Sequence, residues 1–292
     1  MLRIKARHVI SAVLATLLAA VICTGAAVAS PVTGTDQNGT YLALGDSVGF
    51  GYVPAQAVPA PNYFDAHSFV GYPEFLAQQL RERVFNASCP GETTASMLSP
   101  DGVSNGCENS PFSSVGYRTL YPLHVEYQGT QMQYALQFLA DHKNTRLVTI
   151  DIGANDVFLC QETTQDHCAS SSELAGVAST IATNLVTTVG ELRSTGYQGP
   201  IVILTYYSLS YSDPTTIAGT LFLDAAISSA AQTSGAIVAD GFTAFEGPAL
   251  NFGGDPCAAG LLIRLPDGTC NIHPSAAGQQ VLADAIAGVL PS

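Results

Sequence analysis

The chain has 292 residues, 10 basic and 23 acidic, for a net charge of −13, with 47% hydrophobic and only 11% charged side chains. An acidic excess of this size argues against nucleic acid or an anionic membrane surface as the main partner. The length allows one sizeable α/β core and leaves little room for a second large domain.

The N-terminus reads as an export leader, residues 1–29. Arg3, Lys5 and Arg7 form a basic start, Val9 to Cys23 is apolar, and Ala27-Val28-Ala29 is an A-x-A cleavage site. The apolar run is short for a membrane span, and Ile22 stands where lipid attachment at Cys23 would need a small residue. Cleavage leaves 7 basic against 23 acidic residues, or −16. A flexible arm over 30–39 and a single domain over 40–292 are expected to follow. No later segment is long and apolar enough to span a bilayer.

Strand-like and helix-like segments then alternate. The strands are "TYLALG" (40–45), "RVFNAS" (83–88), "RLVTIDIG" (146–153), "PIVILTYY" (200–207) and "AIVAD" (236–240). Their runs are apolar without strict alternation, as in a parallel sheet covered on both faces. The helices are "YPEFLAQQLRER" (72–83), "TQMQYALQFLADH" (130–142), "SSELAGVASTIATNLVTTVGELRST" (171–195), Ala218 to Thr233 and Ser275 to Leu290. This order implies an α/β fold with right-handed crossovers and a site beyond the carboxyl ends of the strands.

Six cysteines survive cleavage, and an even count in an exported chain implies disulfides. Of 15 possible pairings, neighbourhood in sequence favours Cys89–Cys107, Cys160–Cys168 and Cys257–Cys270. No C-x₂-C pair suggests zinc, and no metal or other cofactor is expected. Each proposed bridge adjoins a loop with candidate site residues, so the bridges either hold the site as well as the fold or simply staple surface loops, as is common in secreted domains. Asn38 and Asn86 match the glycosylation pattern, but Asn86 leads into a candidate site loop and is expected to be buried.

Four loops bring chemistry to one sheet edge. Ser47 follows the first strand in "GDSVGFG", Gly91 follows the second in "NASCPGETT", and Asn155 follows the third in "IDIGANDVF". His273 precedes the last helix in "CNIHPSAAG". His273 can take the proton of Ser47 and return it to a leaving group. The N–H groups of Ser47 and Gly91 and the amide of Asn155 can donate to an oxyanion. Glycine at 91 is expected to let the backbone approach substrate without a Cβ in the way. Asp46 and Asp156 are expected to hold their loops by accepting hydrogen bonds.

These four blocks, in this order, resemble those of the SGNH hydrolases, also called GDSL esterases/lipases, with Val48 where the family's first block has Leu. The resemblance spans nearly the whole mature chain. It implies a flavodoxin-like three-layer α/β/α fold with a mainly parallel sheet, metal-independent ester hydrolysis and Ser47 as nucleophile. The cysteine couples also look like those of secreted actinobacterial members. Many relatives carry an Asp three residues before the His; here that position is Cys270. Either a backbone carbonyl, that of Cys270, orients the imidazole, or Asp267 or Asp255 reaches it.

Two rival readings are a metal-dependent phosphoesterase, which the single local His argues against, and a catalytically silent binding module of the same fold. The partner expected is a small-molecule or lipid ester, met by an extracellular monomer that neither binds nucleic acid nor inserts in a membrane. Segments 52–69 and 205–213 are expected to border the site. They hint at an apolar acyl or aryl group and leave lipid, polysaccharide acetyl and aryl esters open.

Overall fold

A computed structural model describes residues 39–291. The expected leader, most of the expected arm and Asn38 lie outside the described residues. The β-rich apolar runs form five strands: β1 Thr40–Gly45, β2 Arg83–Asn86, β3 Thr145–Asp151, β4 Ile201–Leu204 and β5 Ile237–Ala239. They pair in the order β2-β1-β3-β4-β5, every pair parallel. That is the flavodoxin-like order expected from the resemblance. All six residues of β1 and all four of β4 are buried, because helices cover both faces. The edge strands β2 and β5 are less enclosed.

The helices form two groups. On one side α2 (Tyr72–Leu80) and α9 (Gly241–Leu250) pack against α10 (Ala276–Val289). On the other, α7 (Ser171–Ser194) packs against α8 (Pro214–Ser234), α6 (Ala154–Thr163), α5 (Gln131–Asp141) and α3 (Thr94–Leu98). Short helices α1 (Ser47–Phe50) and α4 (Tyr117–Leu120) lie in the connections. No helix of the described residues is long and apolar enough to cross a membrane.

Several boundaries differ from the sequence reading. Helix α8 begins at Pro214, four residues early, because Asp213 caps it through the N–H of Thr215 and proline fits the first turn. Helix α9 was not anticipated; Gly247 and Pro248 disguise its last turns as a loop. The segment around His273 is a strand. β6 (Leu262–Arg264) and β7 (Cys270–Pro274) form an antiparallel hairpin outside the main sheet.

All three disulfides join the sequence neighbours: Cys89–Cys107, Cys160–Cys168 and Cys257–Cys270. Asn86 is 2% exposed, and its amide donates to the carbonyl of Gly49 and to Glu74. Folded chain therefore cannot present it for glycosylation.

Candidate active site

The carboxyl end of β1 is clamped before it turns. The side-chain amide of buried Gln131 bonds both sides of Gly45, accepting from its N–H at 2.6 Å and donating to its carbonyl at 3.0 Å. Gly45 sits opposite Asp151 in the β1–β3 register, and the N–H of Asp46 bonds the Asp151 carbonyl. The Asp46 carboxylate then accepts from the N–H of Val48 at 2.9 Å and starts α1. Gly51, in the left-handed region, ends that helix after one turn. Ser47 is the first helical residue, held on a turn whose two sides are fixed.

His273 Nε2 lies 2.8 Å from Ser47 Oγ. Its Nδ1 lies 2.5 Å from Asn271 Oδ1. The backbone N–H of His273 also donates to Asn271 Oδ1, at 3.1 Å. A backbone N–H needs an acceptor, so the Asn271 oxygen must face the ring. Nδ1 therefore carries the ring proton, and Nε2 presents its lone pair to the serine hydroxyl. This corrects the sequence reading, which assigned the role to the Cys270 carbonyl, Asp267 or Asp255. In an extended strand, residues 271 and 273 project to one face, so Asn271 arrives first. Asp267 accepts instead from the N–H and hydroxyl of Thr269, and Asp255 from the N–H groups of Cys257 and Ala258.

The hairpin that carries His273 is secured at several points. The Cys257–Cys270 bridge ties β7 to the preceding loop, and the Tyr207 hydroxyl donates to the Ile272 carbonyl at 2.7 Å. The Tyr52 ring packs on the imidazole with centroids 4.9 Å apart. Burial lowers the His273 pKa to about 4, so the ring is neutral at ordinary pH and able to accept a proton.

Gly91 and Asn155 line the same cavity as Ser47 and His273. Gly91 has φ +86°, and a Cβ there would stand 2.5 Å from the Asn105 carbonyl oxygen. A neighbouring loop of the protein thus requires glycine here by itself. Asn155 lies in the first turn of α6. Its Oδ1 accepts from Asn105 Nδ2, and its own Nδ2 donates to Asp46, both at 3.3 Å. The second Nδ2 hydrogen remains for a ligand. Asn105 was missed in the sequence, where no local pattern marks it.

Below the serine lies a buried carboxyl pair. Asp46 accepts from the Tyr206 hydroxyl at 2.5 Å. Asp151 accepts from the Gly49 N–H at 3.0 Å and the Tyr72 hydroxyl at 2.7 Å. Burial, and then the neighbouring Asp46 charge, push Asp151 well above the usual carboxylate range. Burial thus disfavours the charged form of both carboxyls of the pair. Asp156 accepts from the N–H and hydroxyl of Thr94 and so joins α6 to α3, the loop-holding role expected of it.

The cavity measures about 560 Å³, within the usual size for a small-molecule site. Tyr52, Tyr206, Tyr207 and Leu209 line it, as the two expected bordering segments require. Walls from α6 and α8, and Tyr117 from α4, were not anticipated. The described residues group possible metal ligands at Cys89–Glu92–Cys107 and Cys160–Cys168–Glu173, but all four cysteines are in disulfides.

None of the curated proteins compared matches the chain significantly. Solved structures do. One is LAE5, an α/β hydrolase enzyme from the metagenome of Lake Arreo, Spain: 19% identity over 87% of this chain and 97% of that one, TM-score 0.52. Another is a variant of Axe2, an acetyl xylan esterase from Geobacillus stearothermophilus: 16% identity over 87% and 96%, TM-score 0.51. At these identities they show a shared fold. The sequence pattern of the GDSL-like lipase/acylhydrolase family matches residues 43–281. With that match over most of its length, the chain belongs to the GDSL-like lipase/acylhydrolase family.

Proposed function

We propose that this protein is an exported serine esterase that hydrolyses carboxylic esters through an acyl-enzyme on Ser47. The observation that carries the reading is the 2.8 Å contact between Ser47 Oγ and an imidazole nitrogen whose lone pair faces it. As the Oγ–acyl carbon bond forms, Nε2 takes the hydroxyl proton. The negative charge that develops on the carbonyl oxygen falls to the N–H groups of Ser47 and Gly91 and the amide of Asn155. On collapse the carbon–alkoxy bond breaks, and Nε2 gives its proton to the departing oxygen. Burial makes imidazolium unfavourable here, so this second transfer is downhill for the histidine. A water then attacks the acyl-enzyme with Nε2 again as base, which frees the acid and restores Ser47.

The leader-like N-terminus and the three disulfides support export to an oxidising compartment. Hydrolysis of p-nitrophenyl esters tests the enzymatic claim. The native chain is expected to turn them over and Ser47→Ala to lose the activity while keeping its melting temperature. Equal rates in the two would reject Ser47 as nucleophile.

A further inference from the structure

Resting on the esterase reading, we propose that the cleft between α6 and α8 is an acyl-chain site for esters of fatty acids longer than acetate. We further infer that Gly219, in the second turn of α8, sets the chain length it admits. The catalytic groups decide which end of the substrate faces which wall. His273 must protonate the departing oxygen, so the alcohol leaves on the histidine side, beside Tyr52. The acyl group then extends past the oxyanion donor Asn155. Asn155 is in the first turn of α6, whose Val157, Phe158 and Gln161 line the cleft.

The opposite wall is α8, which presents Thr216, Gly219, Thr220 and Leu223, one face of a helix by spacing. Its hydroxyls are already engaged. Thr216 donates to Asp213 at 2.6 Å and Thr220 to the Thr216 carbonyl at 3.0 Å. The wall therefore offers a chain its methyl and methylene groups and asks for no hydrogen bond in return. Leu209 and Ile272, which also line the cleft, leave 42% and 41% of their surface exposed. A bound alkyl chain would cover them. An acetyl group would leave most of the roughly 560 Å³ unfilled.

Gly219 is the gap in this wall. Gly219 lines the cleft and a Cβ built there meets nothing within 4 Å, so a methyl group can be added at this wall without displacing a neighbouring atom. Glycine in a helix interior is costly to stability. A larger residue should improve the helix, which separates an effect on substrate from an effect on folding.

The test measures kcat/KM for p-nitrophenyl acetate, butyrate, octanoate and dodecanoate with the native chain, Gly219→Ala and Gly219→Leu, together with melting temperature. Each methylene buried in an apolar site favours binding by about fourfold, so native kcat/KM is expected to climb from acetate through octanoate. In Gly219→Leu the octanoate-to-acetate ratio is expected to fall at least about tenfold, the scale of a few methylenes excluded. Gly219→Ala should fall between the two, and neither variant should melt lower than the native chain. A native profile that peaks at acetate, or an unchanged ratio in Gly219→Leu, overturns the inference even with Ser47-dependent hydrolysis intact. Absence of any Ser47-dependent hydrolysis overturns the esterase reading beneath it.

Discussion

Replacing Asn271 with Asp changes one atom of the His273 partner and adds a charge beside the ring. In the native chain Asn271 Oδ1 fixes the tautomer without a charge, 2.5 Å from Nδ1, and burial holds the imidazole pKa at about 4. A carboxylate there would attract imidazolium. Unit charges about 4 Å apart at an effective dielectric of about 20 interact by about 4 kcal/mol, worth about 3 pH units. The carboxylate's own desolvation opposes this, so a net rise of about 2 units is expected. The assay is kcat/KM against pH for a p-nitrophenyl ester, whose acid limb reports the free enzyme's base. Activity requires neutral His273, so it falls as pH drops through the pKa. At pH 5 about nine-tenths of the native rings and about one-tenth of the Asn271→Asp rings should be neutral. The limb should therefore move from near pH 4 to near pH 6. Superimposed profiles, or a native limb already near the unperturbed histidine value, would refute the reasoning.

Two further outcomes follow from buried polar groups. Asn155→Ala should lower kcat by about a hundredfold to a thousandfold with a smaller effect on KM; an unchanged kcat would remove Asn155 from the oxyanion site. Asp224 accepts from the Tyr206 N–H through one oxygen and leaves the other buried and unpartnered, and burial raises its pKa from 3.8 to about 7. The folded state thus binds the extra proton between those values, and stability falls as pH rises through that window. The rise corresponds to at most about 4 kcal/mol. Asp224→Asn should make the urea midpoint less dependent on pH between 4 and 8, gaining most at the alkaline end. A midpoint profile parallel to the native one would contradict this.

The sheet was readable because a parallel strand covered on both faces carries an apolar run, as at Tyr41–Leu44 in β1, Leu147–Val148 in β3 and Ile201–Leu204 in β4. The strand-end rule then located Ser47, Gly91 and Asn155, and the structure puts them around one cavity with His273. The partner of His273 was not found, because 270–274 was read as a loop. Read as a strand, its two-residue period would have put Asn271 beside His273. The α8 wall was hidden for a similar reason. Starting that helix at Ala218 left Thr216 in a loop, although Asp213-Pro214 is a capping signal. Asp151 and Asn105 carried no local signal. Their roles depend on register and on loop contacts distant in sequence, such as Gly45 beside Asp151 and Asn105 against Gly91.

The central claim is that the hydroxyl of Ser47, aligned with Nε2 of His273, is the nucleophile. Incubation with an organophosphate ester, followed by peptide mass mapping, tests it most directly. The account predicts one stoichiometric adduct on the peptide bearing Ser47, lost in Ser47→Ala and slowed in His273→Ala. Full inhibition with the adduct on another residue, or none on Ser47 in active protein, would contradict it.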